Sequence, residues 1–268
     1  MSYRTIVHDF SGVYAKQPFM QELRESAASN RDIHWLDCTQ IAGTDCYCDD
    51  EAVKAIRGQI ADAGITDAHG IHFIDGGNYH YMSKIWTDMV QEPFSLVVFD
   101  HHPDMQEPRF GNILSCGGWV KKVLEKNKFV ESIVVIGVAD HLTREIPSHS
   151  KVSYLREGEY NAMINKPGDF ERFLSDLKTL DSPLSSSLYI SIDKDALAPA
   201  YAATNWDQGS LSTESLKSII AGLAANHKIL GIDICGERAR DIEDSRADAL
   251  NSELNRELAE FLAPFAAS

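Results

Sequence analysis

Residues 95–104 read SLVVFDHHPD: four apolar residues, Leu96 to Phe99, run straight into two acids and two histidines. An uninterrupted apolar run of this length suits a strand buried on both faces of a parallel sheet. Six other runs share its character: YRTIVH near 3–8, DIHWLD near 32–37, GIHFID at 70–75, SIVVIGVAD at 132–140, SLYISID at 187–193 and KILGID at 228–233. Between the runs, apolar positions recur at helical spacing. Phe170, Phe173, Leu174 and Leu177 form one stripe. Leu216, Ile219, Ile220 and Leu223 form another, with Ser212 or Thr213 placed as an N-cap, and Leu250, Leu254, Leu258, Phe261 and Leu262 form a third. Strand–helix alternation of this kind predicts an α/β domain with helices on both sides of a mostly parallel sheet. No repeat, low-complexity tract or Pro/Ser-rich linker divides the chain, so residues 1–268 read as a single domain.

Composition narrows the function classes. A formal charge of −15 argues against nucleic acid or an anionic membrane surface as a partner and is compatible with a small cationic substrate. No stretch approaches the apolar length of a membrane span. The start, MSYRTIVHDF, lacks a signal-peptide pattern, and five cysteines, an odd number, point to a reducing compartment. The expected location is cytoplasmic.

Asp75, Asp100, Asp140, Asp193 and Asp233 close five of the runs. Parallel strands send their carboxyl ends to one edge of the sheet, where open α/β sheets bind ligands. At period two, Asp100, His102 and Asp104 point to one side, while His101 points to the other. Carboxylates and an imidazole crowded at the end of a buried strand call for a cation. Such a donor set suits Mn²⁺, Fe²⁺ or Zn²⁺ better than Ca²⁺. YISIDKDAL places Asp193 and Asp195 at a second strand end with the same spacing, and HFIDGGNYHYMS offers His80 just after a strand and a Gly-Gly turn. CYCDDE at 46–51 lacks a second cysteine pair at zinc-ribbon spacing and reads as a loop entering a helix. Cys116, in a Gly-rich turn, reads as pocket lining, and Trp206 either stacks on a cation or packs.

Together GG–H, FDHHPD and SIDKDAL resemble the arginase/agmatinase group of ureohydrolases, whose signatures read roughly GGDH, D-A-H-x-D and S-x-D-x-D. The order and spacing fit from about residue 70 to 240. The resemblance implies a three-layer α/β/α sandwich holding two Mn²⁺ ions per chain at the carboxyl edge. Carried over, one ion would take His80, Asp100, Asp104 and Asp193, the other Asp100, His102, Asp193 and Asp195, with Asp100 and Asp193 bridging. The implied activity is hydrolysis of a non-peptide C–N bond of the guanidino or amidino type by a bridging hydroxide, with Asp104 accepting a proton. IGVADHL resembles the I-G-x-R-D segment and LGIDICGE the D-x-x-E segment. Asp140, Asp207 and Glu237 are therefore the residues expected to hold a cationic substrate, Glu237 with a catalytic role. Relatives of this kind are often trimers or hexamers, so a homo-oligomer is implied.

The departures are as specific. GGNYH has one residue more than the signature and Asn where Asp is usual; DICGE also has one residue more; no counterpart of the arginase carboxylate grip follows Asp104; and Cys116 stands nearest the place of the proton-shuttle histidine. They point to a divergent branch with its own substrate. Two other readings are a deacetylase-like amidohydrolase of the same superfamily, using one Zn²⁺, and a non-catalytic metal-binding regulatory protein.

Overall fold

The computed structural model describes residues 3–144, 146–164, 184–241 and 243–266. The seven apolar runs become strands β1 (Thr5–Asp9), β2 (Ile33–Asp37), β4 (Ile71–Gly76), β5 (Phe94–Phe99), β7 (Val130–Val138), β9 (Ser187–Asp193) and β10 (Lys228–Glu237). With β8 (Val152–Arg156) they form an eight-stranded sheet in the order β2-β1-β4-β10-β9-β5-β7-β8. Every pairing in it is parallel. A separate antiparallel pair joins the two-residue strands β3 (Tyr47–Cys48) and β6 (Leu114–Ser115).

Alternation along each strand feeds two cores. Val97 and Phe99 of β5 pack to one side with Ile190, Ile192, Ile232 and Ile234. That side is covered by α1 (Pro18–Ala27), α6 (Thr213–Ala224) and α7 (Ser245–Leu262). Leu96 and Val98 pack to the other side, under α2 (Asp50–Asp62), α3 (Met82–Thr87) and α4 (Trp119–Lys126). The three-layer α/β/α sandwich follows from strands that are apolar on both faces. The expected stripe of α6 is buried at Leu216, Ile219, Ile220 and Leu223, and Ser212 is its N-cap, accepting from Ser215 N–H at 3.1 Å. In α7, Leu254, Leu258 and Leu262 are buried, while Leu250 and Phe261 are half-buried at the margin of the stripe. The Phe170–Leu177 stripe lies outside the described residues. A short helix α5 (Glu157–Ile164) follows β8.

Of the five aspartates expected at strand ends, Asp233 is a correction. It lies inside β10, fully buried, where it takes His72 Nδ1 at 2.7 Å and Tyr189 O–H at 2.7 Å. The strand continues past it, because Ile234 and Cys235 are core residues. Asp75 does close its strand but faces a loop, accepting from Phe10 N–H, Ser11 N–H and Ser11 O–H at 2.7–2.9 Å.

The His72 ring stacks on Trp86 at 3.9 Å, and His8 meets the same indole edge-on at 5.5 Å. Burial, reinforced by His72, pushes the His8 imidazole down to about 3. An unfolded chain binds the proton at its ordinary value near 6.5, so this histidine favours folding fully above that pH and progressively less as pH falls toward 3. Asp75, raised to about 6 mainly by burial, acts with the opposite sign over a narrower interval, stabilising at low pH and losing that effect as pH rises through 6. His8→Phe is therefore expected to gain on wild type by about 3 kcal/mol between pH 7 and pH 4. Urea unfolding at the two pH values checks this, and parallel pH profiles would contradict it.

Candidate metal centre

The carboxyl edge of β4, β10, β9 and β5 carries the acid–histidine cluster. Asp100 directly follows β5, Asp193 ends β9, and Asp195 lies in the 3-10 turn after it. The added residue of GGNYH is absorbed by a 3-10 turn, Gly77–Tyr79, which delivers His80 as its C-cap. Asn78 has a task of its own. Its amide donates to Asp45 at 2.7 Å, while its carbonyl oxygen accepts from Asn205 Nδ2 and Trp206 Nε1 at 2.8 and 3.1 Å. The indole of Trp206 lies against Gly77, where a Cβ would meet it at 2.7 Å.

The distances define two adjoining groups. His80 Nδ1 stands 3.1 Å from Asp100 Oδ2, 3.3 Å from Asp104 Oδ2 and 3.4 Å from Asp193 Oδ2. His102 Nδ1 stands 2.9 Å from Asp195 Oδ2 and 3.5 Å from Asp100 Oδ1. Asp100 thus turns one oxygen to each histidine. His80, Asp100 and Asp193 offer ligand atoms within reach of one ion, as do Asp100, His102 and Asp195. All of these except His102 are buried.

The outer ring nitrogens are occupied in a way that frees the inner ones. His80 Nε2 meets Ser191 Oγ at 2.9 Å, and His102 Nε2 meets Asp207 Oδ1 at 3.3 Å. An Nε2–H donated to these oxygens leaves the Nδ1 lone pair facing the carboxylates, the arrangement of metal-binding histidines. Trp119 Nε1 donates to Asp104 Oδ2 at 2.6 Å, and Asp104 itself holds a left-handed backbone with φ 48°. Strain of this kind concentrates at functional sites.

Electrostatics carry the same demand for positive charge. Burial opposes protonation of His80, but its bonds to Asp100 and Asp104 and the charge of Asp193 outweigh this and hold it well above the ordinary range. The same balance, with Asp100 and Asp195, lifts His102 to about 12. Burial and the crowding of neighbouring acids raise Asp193 to about 8 and Asp195 to about 6. Without added cations, protons must substitute for them.

The cluster floors a cleft of about 410 Å³ whose walls include Cys46, Tyr47, Gln106, Arg109, Cys116 and Trp206. Three residues expected to hold substrate do not line it. Glu237 is buried and receives an ion pair from Lys194, with Gln17 Nε2, Asn251 Nδ2 and Asn255 Nδ2 donating at 2.7–2.8 Å. Burial would raise this carboxyl, but Lys194 and the donors outweigh it and hold it below the usual range. Its charge is therefore not available to a ligand. Just before it stands Gly236, with φ 91°, where a Cβ would meet Asp193 Oδ1 at 2.2 Å. Asp140 is exposed and caps α5 instead, accepting from Gly158 N–H at 2.9 Å. Asp207 overhangs the cluster, 69% exposed, with its carboxylate turned to His102 and, at 3.9 Å, to His101. Sequence reasoning missed Ser191 and Trp119 as supports of His80 and Asp104. The alternation of β9, which puts Ser191 and Asp193 on one face, was the available signal for the first.

Three comparisons bear on descent. A protein of Thermotoga maritima described as uncharacterized is 30% identical over 230 residues, covering 85% of this chain and 78% of that protein. The proclavaminate amidino hydrolase of Streptomyces clavuligerus superposes with a TM-score of 0.65 at 18% identity, over 99% of this chain and 92% of that one. The agmatine ureohydrolase of Thermoplasma volcanium does so with a TM-score of 0.62 at 15% identity, over 98% and 92%. At such identities the structural likeness speaks for the fold alone. The family model described as "Arginase family" matches residues 16–258, and on that span the chain belongs to the arginase family.

Proposed function

We propose that this protein is a metal-dependent hydrolase of a non-peptide C–N bond, acting on a small molecule with a planar guanidino or amidino end and using two Mn²⁺ ions. The observation that carries this reading is the paired cluster, in which one carboxylate, Asp100, serves two histidine-centred groups. His80, Asp100, Asp104 and Asp193 would hold one ion, and Asp100, His102, Asp193 and Asp195 the other. Bound divalent ions supply a nucleophilic hydroxide at neutral pH and polarise the carbon under attack. The chain's own residues do the rest. Asp104, fixed by the Trp119 indole, is the carboxylate placed to accept a proton at the cleft. Ser191 and Asp207 hold the two imidazoles in the tautomer that presents Nδ1. Trp206 and Tyr47 narrow the approach and exclude water from a flat substrate group.

The names of the two solved relatives, an amidino hydrolase and an agmatine ureohydrolase, support the same bond type. A single-zinc, deacetylase-like site would leave His80 among three carboxylates without a task, so the two-ion reading is favoured. The test is turnover of a panel of guanidino, amidino, formimidoyl and acetylamide compounds by the Mn²⁺-loaded protein, with release of urea, ammonia or acetate as the readout. Turnover confined to acetylamides, or none on any compound despite full loading, would overturn the proposal.

The position of Asp207 gives a narrower prediction. As a partner of His102 rather than a substrate acid, it should act through metal retention. Asp207→Asn is expected to weaken one ion by about 10–100-fold while leaving the other in place. Calorimetric titration of Mn²⁺ into the metal-free protein reads this. Unchanged affinities for both ions would show that the contact at 3.3 Å does not support the ligand.

A further inference from the structure

The small β3–β6 ribbon sets two thiols opposite one another at the wall of the cleft. Tyr47 pairs with Ser115 and Cys48 with Leu114, and Cys116 N–H donates to Cys46 C=O at 2.9 Å. Carried one residue beyond the two strands, the register sets Cys46 opposite Cys116, and the backbone bond between them holds the two residues side by side. A disulfide requires Cα atoms about 4.4–6.8 Å apart, a spacing open to backbone-bonded neighbours on adjacent segments.

These two thiols differ from the other three. Cys38, Cys48 and Cys235 are buried, whereas Cys46 and Cys116 are partly exposed and both line the cleft. Cys46 also holds a left-handed backbone, φ 58°, which side chains other than Gly, Asn and Asp rarely adopt. A hydrogen bond from the Cys116 thiol holds Cys46 below the ordinary thiol range, while the same contact and burial push Cys116 well above it. The more acidic thiol is thus paired with one that remains protonated, as in a nucleophile and its resolving partner.

We propose that Cys46 and Cys116 form a reversible disulfide at the cleft wall in response to hydroperoxides. The Cys46 thiolate attacks the outer oxygen of the hydroperoxide, the O–O bond breaks, and the alcohol (or water, from hydrogen peroxide) leaves. The resulting Cys46 sulfenic acid is then attacked by the Cys116 sulfur, which loses its proton as the S–S bond forms and water departs. In sum, two thiols are oxidised to one disulfide, and the peroxide oxygens are reduced to alcohol and water.

The bond joins two segments on which the metal cluster rests. Asp45, beside Cys46, accepts from Asn78 in the turn that carries His80. Gly117, beside Cys116, accepts from Gln106 N–H at 2.9 Å, two residues past Asp104. Oxidation would fix these two rims relative to one another. The proposal does not depend on the hydrolytic reading, since bond formation is measured without any substrate.

The full chain, with and without Mn²⁺, is treated with equimolar hydrogen peroxide, alkylated and digested for mass spectrometry. The expected result is a protein two hydrogens lighter, a linked peptide joining Cys46 to Cys116, and full reversal by dithiothreitol. In Cys116→Ser the reaction should stop at a sulfenic acid on Cys46 that a cyclic dione traps, and in Cys46→Ser neither product should form. Complete alkylation of both thiols after peroxide, or bridges only to other cysteines or between chains, would overturn the proposal.

Discussion

Asp100→Asn is expected to lower the affinity for both proposed metal ions by more than about a hundredfold and to remove the proposed turnover. The reason is its division of labour: Oδ2 faces His80 at 3.1 Å and Oδ1 faces His102 at 3.5 Å. A second observable is thermal. Without metal, Asp100 is the shared anionic partner of His80 and His102, whose protons it holds well above the ordinary imidazole range. Removing its charge should make the metal-free variant melt below the metal-free wild type, and the gain in melting temperature on adding Mn²⁺ should disappear. Thermal melts with and without Mn²⁺, beside metal analysis of the purified proteins, read both effects. A variant that still retains two ions would exclude Asp100 as the shared ligand.

The second large effect is expected at Lys194. This ammonium is fully buried and neutralises Glu237, which has no access to solvent. Lys194→Met leaves that carboxylate uncompensated, at a cost of about 3–5 kcal/mol. In a chain of this size the loss corresponds to a fall in melting temperature of about 6–20 °C. Adding Glu237→Gln should recover much of it, because no unpaired charge is left buried and the single amide oxygen still accepts from Gln17 and Asn251. The double variant also separates two roles for Glu237. If its task is to neutralise Lys194, turnover of the folded double variant stays within a few-fold of wild type. A loss of a hundredfold with both ions retained would restore it as a substrate acid.

Much of the architecture was legible because its strands are apolar on both faces. Seven runs named seven strands, while β8 escaped. VSYLR lies at the sheet edge and is mostly half-buried, so it carries no apolar run. The clustering of acids and histidines was legible for a related reason: period-two spacing in FDHHPD and SIDKD puts the acids and His102 on one side regardless of tertiary detail. Glu237 was not legible. Its fate is set by Lys194, Gln17, Asn251 and Asn255, which lie far apart in the chain, and by the left-handed Gly236 before it. Asp140 was misread because an acid after a strand serves a helix N-terminus as readily as a ligand, and α5 lies within its reach. Asp233 shows the limit of reading a run's last acid as its end, since a buried histidine and tyrosine can hold it mid-strand.

The strand order has a consequence in time. Among the described residues, the strand latest in the chain, β10, lies between β4 and β9 near the middle of the sheet. Until residues 228–237 leave the ribosome, β2-β1-β4 and β9-β5-β7-β8 have no strand to join them. His80 follows β4, whereas Asp100 and Asp193 belong to β5 and β9, so the cluster spans this seam. A nascent chain lacking β10 holds two half-sheets with open, apolar edges and no assembled acid–histidine cluster. Late closure of a parallel sheet is slow and leaves those edges vulnerable to association. Assembly of the acid–histidine cluster is thereby tied to completion of the sheet, and a chain truncated before residue 228 is expected to be aggregation-prone and unable to bind the proposed ions.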